Sequence, residues 1–303
     1  MHADWISYLN TLELSPYTPA DKQAILAPLN HLSILSVTGK DAANFLQGQT
    51  TCDINALVDS KPALGAYCNA KGRTISTFII IKQQNEFQLI LTKDLIDTVR
   101  KKLQMYVLRS DVQLTDQSEL LCITGISNIE LPPQTHLYQY PQLDNSYLFI
   151  SNTEDSCLFW SELRQQQTIK LINSSAWLGL DIQAGIPWLY TPTSEEFVPQ
   201  MLNLDKLDAI SFEKGCYTGQ EIVARTHYLG KNKRAMYPAS CTTETDIPPG
   251  SVITDNEDAV QGTVVLSTRL DKTTQLLVVL KDQAVNTKNL QLNNQNHDKI
   301  TLN

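Results

Sequence analysis

The sequence predicts an α+β fold with two or three domains, and three observations support this prediction. The chain has 303 residues and a mass of 34.0 kDa, which is more than one hydrophobic core usually organises. Between about residues 50 and 150 the patterns follow the order β-β-α-β-β, which favours an open antiparallel sheet with a helix on one face. After residue 250 the pattern changes to short alternating strands, which are typical of a small antiparallel barrel or sandwich.

The individual elements are predicted from local signals. Alternating apolar residues predict a strand over 31–37, and a helix over 40–47 follows the turn at Gly39. Apolar residues at helical spacing predict a helix over 93–106, with Tyr106 on its apolar face. The other predicted elements are a hairpin of strands 73–81 and 86–91, helices over 154–167 and 174–185, and strands over 112–114, 120–124, 251–254, 262–267, 275–281, 289–292 and 299–302.

Charge and composition narrow the class of protein. The 24 basic and 32 acidic residues give a net charge of −8, which argues against general binding to duplex DNA but leaves tRNA binding through a small basic patch open. The first residues lack a basic segment followed by an apolar one, and no apolar run approaches the ~20 residues that span a bilayer. We expect a cytoplasmic protein with no membrane segment. Six irregularly spaced cysteines indicate reduced thiols, and the sequence has no Cys-x-x-Cys or Cys/His cluster that would predict a metal site.

The segment 211–225 is the most constrained part of the sequence. Thr218, followed three residues later by Glu221, fits a capping box, so we predict that a helix starts near Gly219. Cys216 would then lie close to the unpaired amides and the positive end of the helix dipole. Both features stabilise a thiolate.

Basic residues make this part of the sequence a positive island on an acidic chain. Residues 211–234 have a net charge of +3, since only two acidic side chains accompany Lys214, Arg225, Lys231, Lys233 and Arg234. An anionic ligand or partner would be attracted there. Gly215 and Gly219 would let the backbone approach such a ligand or take a positive φ. The alternative is a tight turn before a core helix.

Cys216 has two interpretations, a reactive thiol or a buried and inert one, and the local charge and the helix start favour the first. His227 is the histidine nearest to it in sequence. A catalytic pair of Cys216 and His227 is one possibility, and a solvent-exposed histidine at the negative end of the helix is favoured over it. The other five cysteines are interpreted as inert.

Several stretches of the sequence resemble a known family. The block Lys214-Gly-Cys-Tyr-Thr-Gly-Gln-Glu221, with 197–200 before it and 232–234 after it, is similar to the YgfZ family of folate-binding proteins, which is related to the T-protein of glycine cleavage. Weaker matches occur in the expected order at 45–49 with Asp53, at 67–73 and at 184–187, so the resemblance covers most of the chain. The residues that support Cys216 in this interpretation are Lys214, Gly215, Tyr217, Thr218, Gly219, Gln220, Glu221 and Arg225.

The resemblance implies a T-protein-like ring of three domains around a central folate pocket, with the cysteine at its rim. Residues 1–48 and 155–230 would form a first α+β domain that carries the cysteine motif, residues 49–154 a ferredoxin-like α+β domain, and residues 231–303 a β-barrel. The implied cofactor is tetrahydrofolate or a folate derivative. The implied role is the assembly or repair of iron–sulfur clusters, which supports tRNA thiomodification enzymes, with iron–sulfur client enzymes or assembly proteins as partners.

Two departures from the family pattern bear on function. T-proteins carry adjacent aspartates, one of them catalytic, where this chain has Ser76-Thr77. Hydroxyl groups cannot place a negative charge beside a folate nitrogen, so we expect aminomethyl transfer to be lost. Relatives carry a glutamate where this chain has Gln183. An amide offers a pterin one acceptor oxygen where a carboxylate offers two, so pterin affinity should fall by roughly tenfold to a hundredfold unless Asp181 or another carboxylate compensates.

Five further residues are candidates for contact with the folate. Lys71 and Arg73 would attract its glutamate tail, and the alternative is a turn with solvated charges. Phe197, Trp188 and Tyr190 would stack on its flat heterocycle, and the alternative is a place in the core.

Three hypotheses for function follow. The leading one is a folate-binding accessory protein for iron–sulfur cluster assembly or repair, with Cys216 as its reactive thiol. The second is a folate-dependent one-carbon transferase of the aminomethyl type that uses another acid. The third is a binding scaffold in which Cys216 only shapes the turn.

Overall fold

A computed structural model describes residues 2–15, 23–131, 135–166, 168–230, 232–243, 245–270, 272–286 and 289–303. Its helices are α1 (Ala3–Leu9), α2 (Ala42–Gln47), α3 (Ile96–Val107), α4 (Thr153–Gln166), α5 (Ser174–Ala184) and α6 (Gln220–Tyr228). Its strands are β1 (Ile25–Pro28), β2 (Leu32–Thr38), β3 (Ala63–Cys68), β4 (Thr74–Gln83), β5 (Glu86–Thr92), β6 (Gln113–Asp116), β7 (Cys122–Ser127), β8 (Leu137–Gln139), β9 (Ser146–Ser151), β10 (Lys170–Leu171), β11 (Arg234–Cys241), β12 (Val252–Thr254), β13 (Val260–Leu270), β14 (Thr273–Lys281), β15 (Leu290–Leu292) and β16 (Lys299–Leu302). No helix in these ranges is long and apolar enough to cross a membrane.

The described strands form two five-stranded sheets and one closed barrel. The first sheet has the order β10-β1-β7-β9-β8 and is antiparallel except for the pair β1 and β10. The second has the order β3-β4-β5-β2-β6. The barrel closes in the order β11-β14-β13-β12-β15-β16 with antiparallel pairs. The predicted α+β class is therefore confirmed, and the C-terminal strands form a barrel rather than a sandwich.

The chain divides into two compact units. The first comprises Met1–Phe45, Ala56–Ala63 and Ile79–Trp177, and the second comprises Leu46–Asn55, Leu64–Phe78 and Leu178–Asn303. Strand β4 runs through both, because its residues up to Phe78 belong to the second unit and the rest to the first. The three domains expected at 1–48 with 155–230, at 49–154 and at 231–303 stay a prediction.

Each unit has a core of its own. In the first unit the ring of Trp5 packs edge-on against that of Trp160 at 5.6 Å, and the indole nitrogen of Trp160 donates to Thr124 Oγ1 at 2.9 Å. Both tryptophans are fully buried, so this hydrogen bond satisfies a donor that burial would otherwise leave unpaired. In the second unit the barrel is filled by inward-facing aliphatic side chains, which include Ile253, Val264, Leu276, Val278 and Leu280.

Strands predicted between residues 50 and 150 do not form one sheet. Strand β6 pairs with β2, whereas β7 pairs with β1, so this stretch contributes to both five-stranded sheets. The expectation of a single sheet is wrong because alternation identifies a strand but not its partner, and both partners here lie far away in sequence.

Two local predictions can be compared directly with the structure. The hairpin is confirmed, since Gln83 pairs with Glu86 across its turn. Helix α3 is also present, but Tyr106 is 43% exposed and Val107 takes the buried position four residues after Leu103. The apolar face of α3 therefore follows the i, i+4 spacing from Leu103.

Strand β11 is absent from the sequence prediction. It contains Pro238, which cannot donate a backbone hydrogen bond and lowers the strand signal. In the barrel Pro238 pairs with Leu277, and its carbonyl accepts a hydrogen bond from the Asn303 amide at 3.1 Å. Of the residues named in the predictions, Gln167 and Lys231 lie outside the described residues.

Candidate functional site

Cys216 is exposed, and side chains close to it on both sides are buried. The side chains of Lys214 and Tyr217 are each only 7% exposed, so the exposed Cys216 lies between two buried side chains that fix the backbone on either side of it. Burial raises the pKa of the other five cysteine thiols, to about 12 at Cys68 and about 11 at Cys241. Cys216 is therefore the cysteine that the fold presents to solvent, and the other five are held as neutral thiols.

The ammonium group of Lys214 ties the cysteine segment to residues 50–52. Lys214 Nζ donates to the carbonyl oxygens of Thr50 at 2.8 Å and Cys52 at 2.7 Å, and it lies 5.2 Å from the centre of the Tyr217 ring. Burial lowers the pKa of Lys214 to about 8, although the nearby Cys52 and Asp53 act to raise it. Lys214 thus faces inward and does not belong to the positive surface that the sequence predicted. The other residues of 211–234 still have a net charge of +2.

The predicted capping box is wrong, although the helix begins close to the predicted position. Helix α6 starts at Gln220, its cap is Gly219, and no side chain caps it. Thr218 is held elsewhere, since its amide donates to the Gly48 carbonyl at 3.1 Å and its hydroxyl donates to Gln49 Oε1 at 3.2 Å. Contacts with a distant segment therefore override the local capping signal of Thr218.

The two glycines of the cysteine motif have different environments. Gly219 has a φ of +86°, and a Cβ at this position would lie 2.4 Å from the carbonyl oxygen of Asn69. Gly215 lies outside the positive-φ region, and a Cβ there would meet nothing within 4 Å. The fold therefore requires glycine at 219, whereas 215 borders open space.

Gln200 forms a hydrogen bond to the backbone of helix α6. The sequence analysis did not select it as a site residue. Gln200 is 5% exposed, and its Nε2 donates to the carbonyl of Val223 in α6 at 2.7 Å. Its own carbonyl accepts a hydrogen bond from Asn232 Nδ2 at 3.0 Å. The motif segments 197–200 and 232–234 thus support the helix that follows Cys216.

The segment 67–73 forms a tight turn around Asn69. Asn69 Oδ1 accepts hydrogen bonds from the amides of Lys71 at 2.9 Å and Arg73 at 3.0 Å, and its Nδ2 donates to Glu195 Oε2 at 2.9 Å. The side chain of Lys71 is exposed, and the guanidinium of Arg73 donates to the carbonyl of Glu196. The structure thus favours the turn interpretation for Arg73 and leaves the cation of Lys71 at the surface.

This turn packs against the start of α6. Gly72 has a φ of +67°, and a Cβ at this position would lie 2.8 Å from the Cβ of Ile222. The Asn69 carbonyl approaches Gly219 in the same way. The fold therefore brings the Lys71 turn and the cysteine motif together.

The stretch 45–53 is held together by its own side chains. Gln47 Nε2 donates to Asp53 Oδ1 at 2.9 Å, and Gln47 Oε1 accepts a hydrogen bond from the Ile54 amide at 2.8 Å. Gln49 receives the hydroxyl of Thr218. These residues of the family resemblance build the frame beneath Cys216.

The candidate folate contacts differ in accessibility. Gln183 is exposed and Tyr190 is half-buried. Trp188 and Phe197 are 0% and 2% exposed, and the indole nitrogen of Trp188 donates to Asp181 Oδ2 at 2.9 Å. Two of the three aromatic rings thus lie in the core, while Gln183 is free to meet a ligand.

The hydroxyl groups of Ser76 and Thr77 are used inside the protein. Ser76 Oγ donates to the carbonyl of Thr77 at 2.9 Å, and Thr77 Oγ1 donates to the carbonyl of Pro187 at 2.6 Å. Both residues are buried, with 1% and 3% of their surface exposed. The Thr77 hydroxyl thus joins strand β4 to the segment that follows α5, and the Ser76 hydroxyl bonds within β4.

His227 lies exposed in the last turn of α6, as the favoured interpretation expected. Its ring stacks on that of Phe212, with centroids 3.8 Å apart, and Tyr228 packs edge-on against it. The sequence analysis missed Phe212 and Tyr228. The available signal was two neighbouring aromatic rings at the end of a helix flanked by basic residues.

The predicted site residues line neither of two clefts in the part of the chain that the structure describes. No group of three or more His, Cys, Asp or Glu side chains there could hold a metal ion. A cleft of about 880 Å³ in the first unit and one of about 270 Å³ in the barrel contain none of the predicted site residues. The larger cleft is lined by Asp41, Asn44, Phe45, Leu108, Arg109 and Ser110.

Comparisons with known proteins agree with the resemblance. No family model matches the chain. The chain is 34% identical over 238 residues to the tRNA-modifying protein YgfZ of Yersinia enterocolitica, a match that covers 73% of this chain and 72% of the relative. It is 34% identical over 229 residues to the tRNA-modifying protein YgfZ of Hamiltonella defensa, covering 69% and 68%. The glycine cleavage system aminomethyltransferase T from Bartonella henselae shares the fold, with a TM-score of 0.72 at 14% identity over 92% of this chain and 84% of that chain.

We expect the two glycines of the motif to respond differently to alanine. Gly219→Ala places a Cβ against the Asn69 carbonyl at a positive φ, so it should lower the free energy of unfolding by about 1–3 kcal/mol. Gly215→Ala fills open space and should change it by less than about 0.5 kcal/mol. Urea unfolding followed by circular dichroism measures both. Equal losses for the two variants would contradict the backbone geometry described for this motif.

The stability contribution of Lys214 should depend on pH. The folded chain releases the Lys214 proton at a pKa of about 8, and the unfolded chain keeps it up to about 10.5, so the unfolded chain binds more protons in this window. From pH 8 to 10.5 the free energy of unfolding should therefore rise, relative to that of Lys214→Met, by about 2 kcal/mol once solvent screening is allowed for. Urea titrations at several pH values measure this difference. The exposed Lys40, as Lys40→Met, is the control and should show no such rise.

Proposed function

Because the chain belongs to the YgfZ family of tRNA-modifying proteins, we propose that it acts in tRNA modification through the thiol of Cys216. The observation that carries this proposal is the contrast among the cysteines. Cys216 is exposed between two buried anchors, whereas burial raises the pKa of the other five thiols. A nucleophile or metal ligand must reach its target, and Cys216 is the thiol that can do so.

The thiol serves iron–sulfur enzymes, with the cluster as cargo. The Cys216 sulfur binds one iron of a cluster that is being delivered or repaired, in exchange for a thiolate ligand of the protein that brings the cluster. The proton of the Cys216 thiol passes to that departing thiolate. A cluster held by protein thiolates needs several such ligands. Cys216 is the thiol that this chain offers, and its described residues hold no group of three or more side chains that could bind a metal ion. The other ligands therefore come from the client enzyme or an assembly protein, and an open site suits such shared and transient binding.

The local backbone suits the approach of a partner. Lys214 and Tyr217 fix the segment from inside, so Cys216 does not need to be ordered when the partner binds. Gly215 leaves the space beside the cysteine empty. A partner can therefore bring its own backbone close to the sulfur.

Folate binding is the second part of the proposal, and the candidate residues fit a folate in part. The exposed Lys71 offers a cation for the glutamate tail, and the exposed Gln183 offers an amide for the pterin. Trp188 and Phe197 are buried in the core, so under this proposal they do not stack on the ligand. A bound folate would supply a one-carbon carrier, and no step of the thiol chemistry passes through it.

The structure gives no support to the alternative of aminomethyl transfer. The resemblance implies a carboxylate at this position in a transferase, whereas the hydroxyls of Ser76 and Thr77 donate hydrogen bonds to backbone carbonyls. A hydroxyl used in this way carries no charge with which to stabilise a reacting folate nitrogen.

Replacing Cys216 should abolish function without unfolding the protein. The Cys216→Ser variant, expressed in cells that lack the protein, should fail to restore the level of thiomodified tRNA. It should also fail to restore the activity of iron–sulfur enzymes under oxidative stress. The partly buried Cys157, as Cys157→Ser, is the matched control and should restore both. Mass spectrometry of tRNA nucleosides and an aconitase-type activity assay measure the outcome. Full restoration by Cys216→Ser would refute the thiol proposal and favour a binding scaffold.

The pterin contact can be tested separately. Gln183→Glu gives the site a second acceptor oxygen, so it should bind tetrahydrofolate roughly tenfold to a hundredfold more tightly than the unsubstituted chain. Calorimetry with tetrahydrofolate measures this change. The exposed Gln104 on α3 provides the control, since Gln104→Glu makes the same charge change elsewhere and should leave the affinity unchanged. Equal affinities for the unsubstituted chain and Gln183→Glu would remove Gln183 from the folate site.

A further inference from the structure

Three aromatic rings cluster at the end of α6. The rings of Phe212 and His227 are stacked, with centroids 3.8 Å apart and planes inclined by 17°. Tyr228 packs edge-on against His227 at 4.7 Å and against Phe212 at 6.2 Å. The rings therefore support one another in a fixed arrangement before any ligand arrives.

The outer part of this cluster is open to solvent. Tyr228 is 63% exposed, and Leu229, the residue that ends α6, is 84% exposed. Two large side chains therefore lie next to each other at the surface, at the end of the helix. A held and exposed tyrosine ring is what a stacking platform for a flat heterocycle requires.

Exposed cations lie on α6 and on the segment that follows it. Arg225 lies one turn before Tyr228 on α6 and is exposed, as is Lys233. Neither Arg225, Lys233 nor Arg234 has a carboxylate partner within 4.0 Å among the residues that the structure describes. These cations remain available to an anionic ligand.

Gln200 holds the two basic segments together. Its side chain binds the carbonyl of Val223 in α6, and its carbonyl binds the side chain of Asn232. Because Asn232 is tied to α6 through Gln200, its neighbour Lys233 lies close to α6. We call this region the α6 surface, which comprises Phe212, Arg225, His227, Tyr228, Leu229 and Lys233.

We propose that the α6 surface binds single-stranded RNA. Unpaired bases stack on the exposed ring of Tyr228, which the His227 and Phe212 rings hold in place, and Arg225 and Lys233 contact the phosphates. This inference deepens the proposed function, on which its biological setting rests, because it gives a tRNA-related protein a contact with RNA. Phe212 and Cys216 belong to the same segment, so RNA bound there would lie on the element that carries the thiol.

The chemistry of the surface favours single-stranded RNA over other anionic partners. A small anion would need the cations but not the rings. A duplex hides the faces of its bases, so it offers no face to stack on Tyr228. A stable protein interface buries roughly 800 Å² on each partner, whereas the exposed apolar part of this surface consists mainly of Tyr228 and Leu229.

The test is fluorescence anisotropy with the full chain and a fluorescein-labelled RNA of about ten nucleotides, single-stranded or annealed to its complement. The single strand should bind more tightly than the duplex. Tyr228→Ala should weaken single-strand binding roughly fivefold to a hundredfold through lost stacking. Arg225→Gln should reduce the dependence of log K on log salt by about 0.7, as expected for one lost phosphate contact.

Controls outside the α6 surface separate its role from general effects. Tyr106→Ala removes another exposed tyrosine, and Lys101→Gln another exposed cation, and both should bind like the unsubstituted chain. Cys216→Ser should also bind normally, so a failure of the thiol proposal leaves this result unaffected.

Two results would overturn the RNA proposal. The first is that the single strand binds no more tightly than the duplex. The second is that folded Tyr228→Ala or Arg225→Gln retains full affinity. If such a variant also loses tRNA modification in cells, the α6 surface binds a protein instead.

Discussion

The buried ammonium group of Lys214 is the constraint on which the candidate site depends. It joins the cysteine segment to residues 50–52 through two carbonyl oxygens, and it lies against the ring of Tyr217. Its lowered pKa reflects the cost of removing a cation from water. That cost is tolerated because the two hydrogen bonds satisfy carbonyls that would otherwise be buried without donors. With Lys214 and Tyr217 turned inward, the side chain that remains outward between them is that of Cys216.

The segments that carry the family resemblance build one frame around this anchor. Gln49 receives the hydroxyl of Thr218, the turn of Asn69 packs against Gly219, and Gln200 holds α6 from below. Each contact joins stretches that are far apart in sequence. Most residues of the motif therefore have a structural role, because they fix the position of a single thiol and of the helix behind it.

Short sequence patterns predicted correctly those elements whose structure depends on a few neighbouring residues. The hairpin turn after Gln83 and the glycine that ends α5 both follow from the conformational preferences of a few residues. Such patterns gave a wrong prediction where a side chain bonds to a segment that is distant in sequence. Thr218 has the sequence of a helix cap but bonds to Gln49, and Lys214 has the sequence of a surface cation but bonds to Thr50. The division of β6 and β7 between two sheets likewise depends on β1 and β2, which no local pattern identifies as partners.

A shared fold does not by itself imply a shared reaction. The chain has the fold of an aminomethyltransferase, and in its strand β4 the hydroxyls of Ser76 and Thr77 bond to backbone carbonyls. The frame presents one exposed sulfur next to the open space at Gly215. One sulfur cannot complete the coordination of a cluster, so under the proposed function a cluster bound there is shared with another protein. Such sharing requires an open site rather than a closed pocket. The exposure of Cys216, the gap at Gly215 and the positive charge of the surrounding segment are therefore consistent parts of one open site.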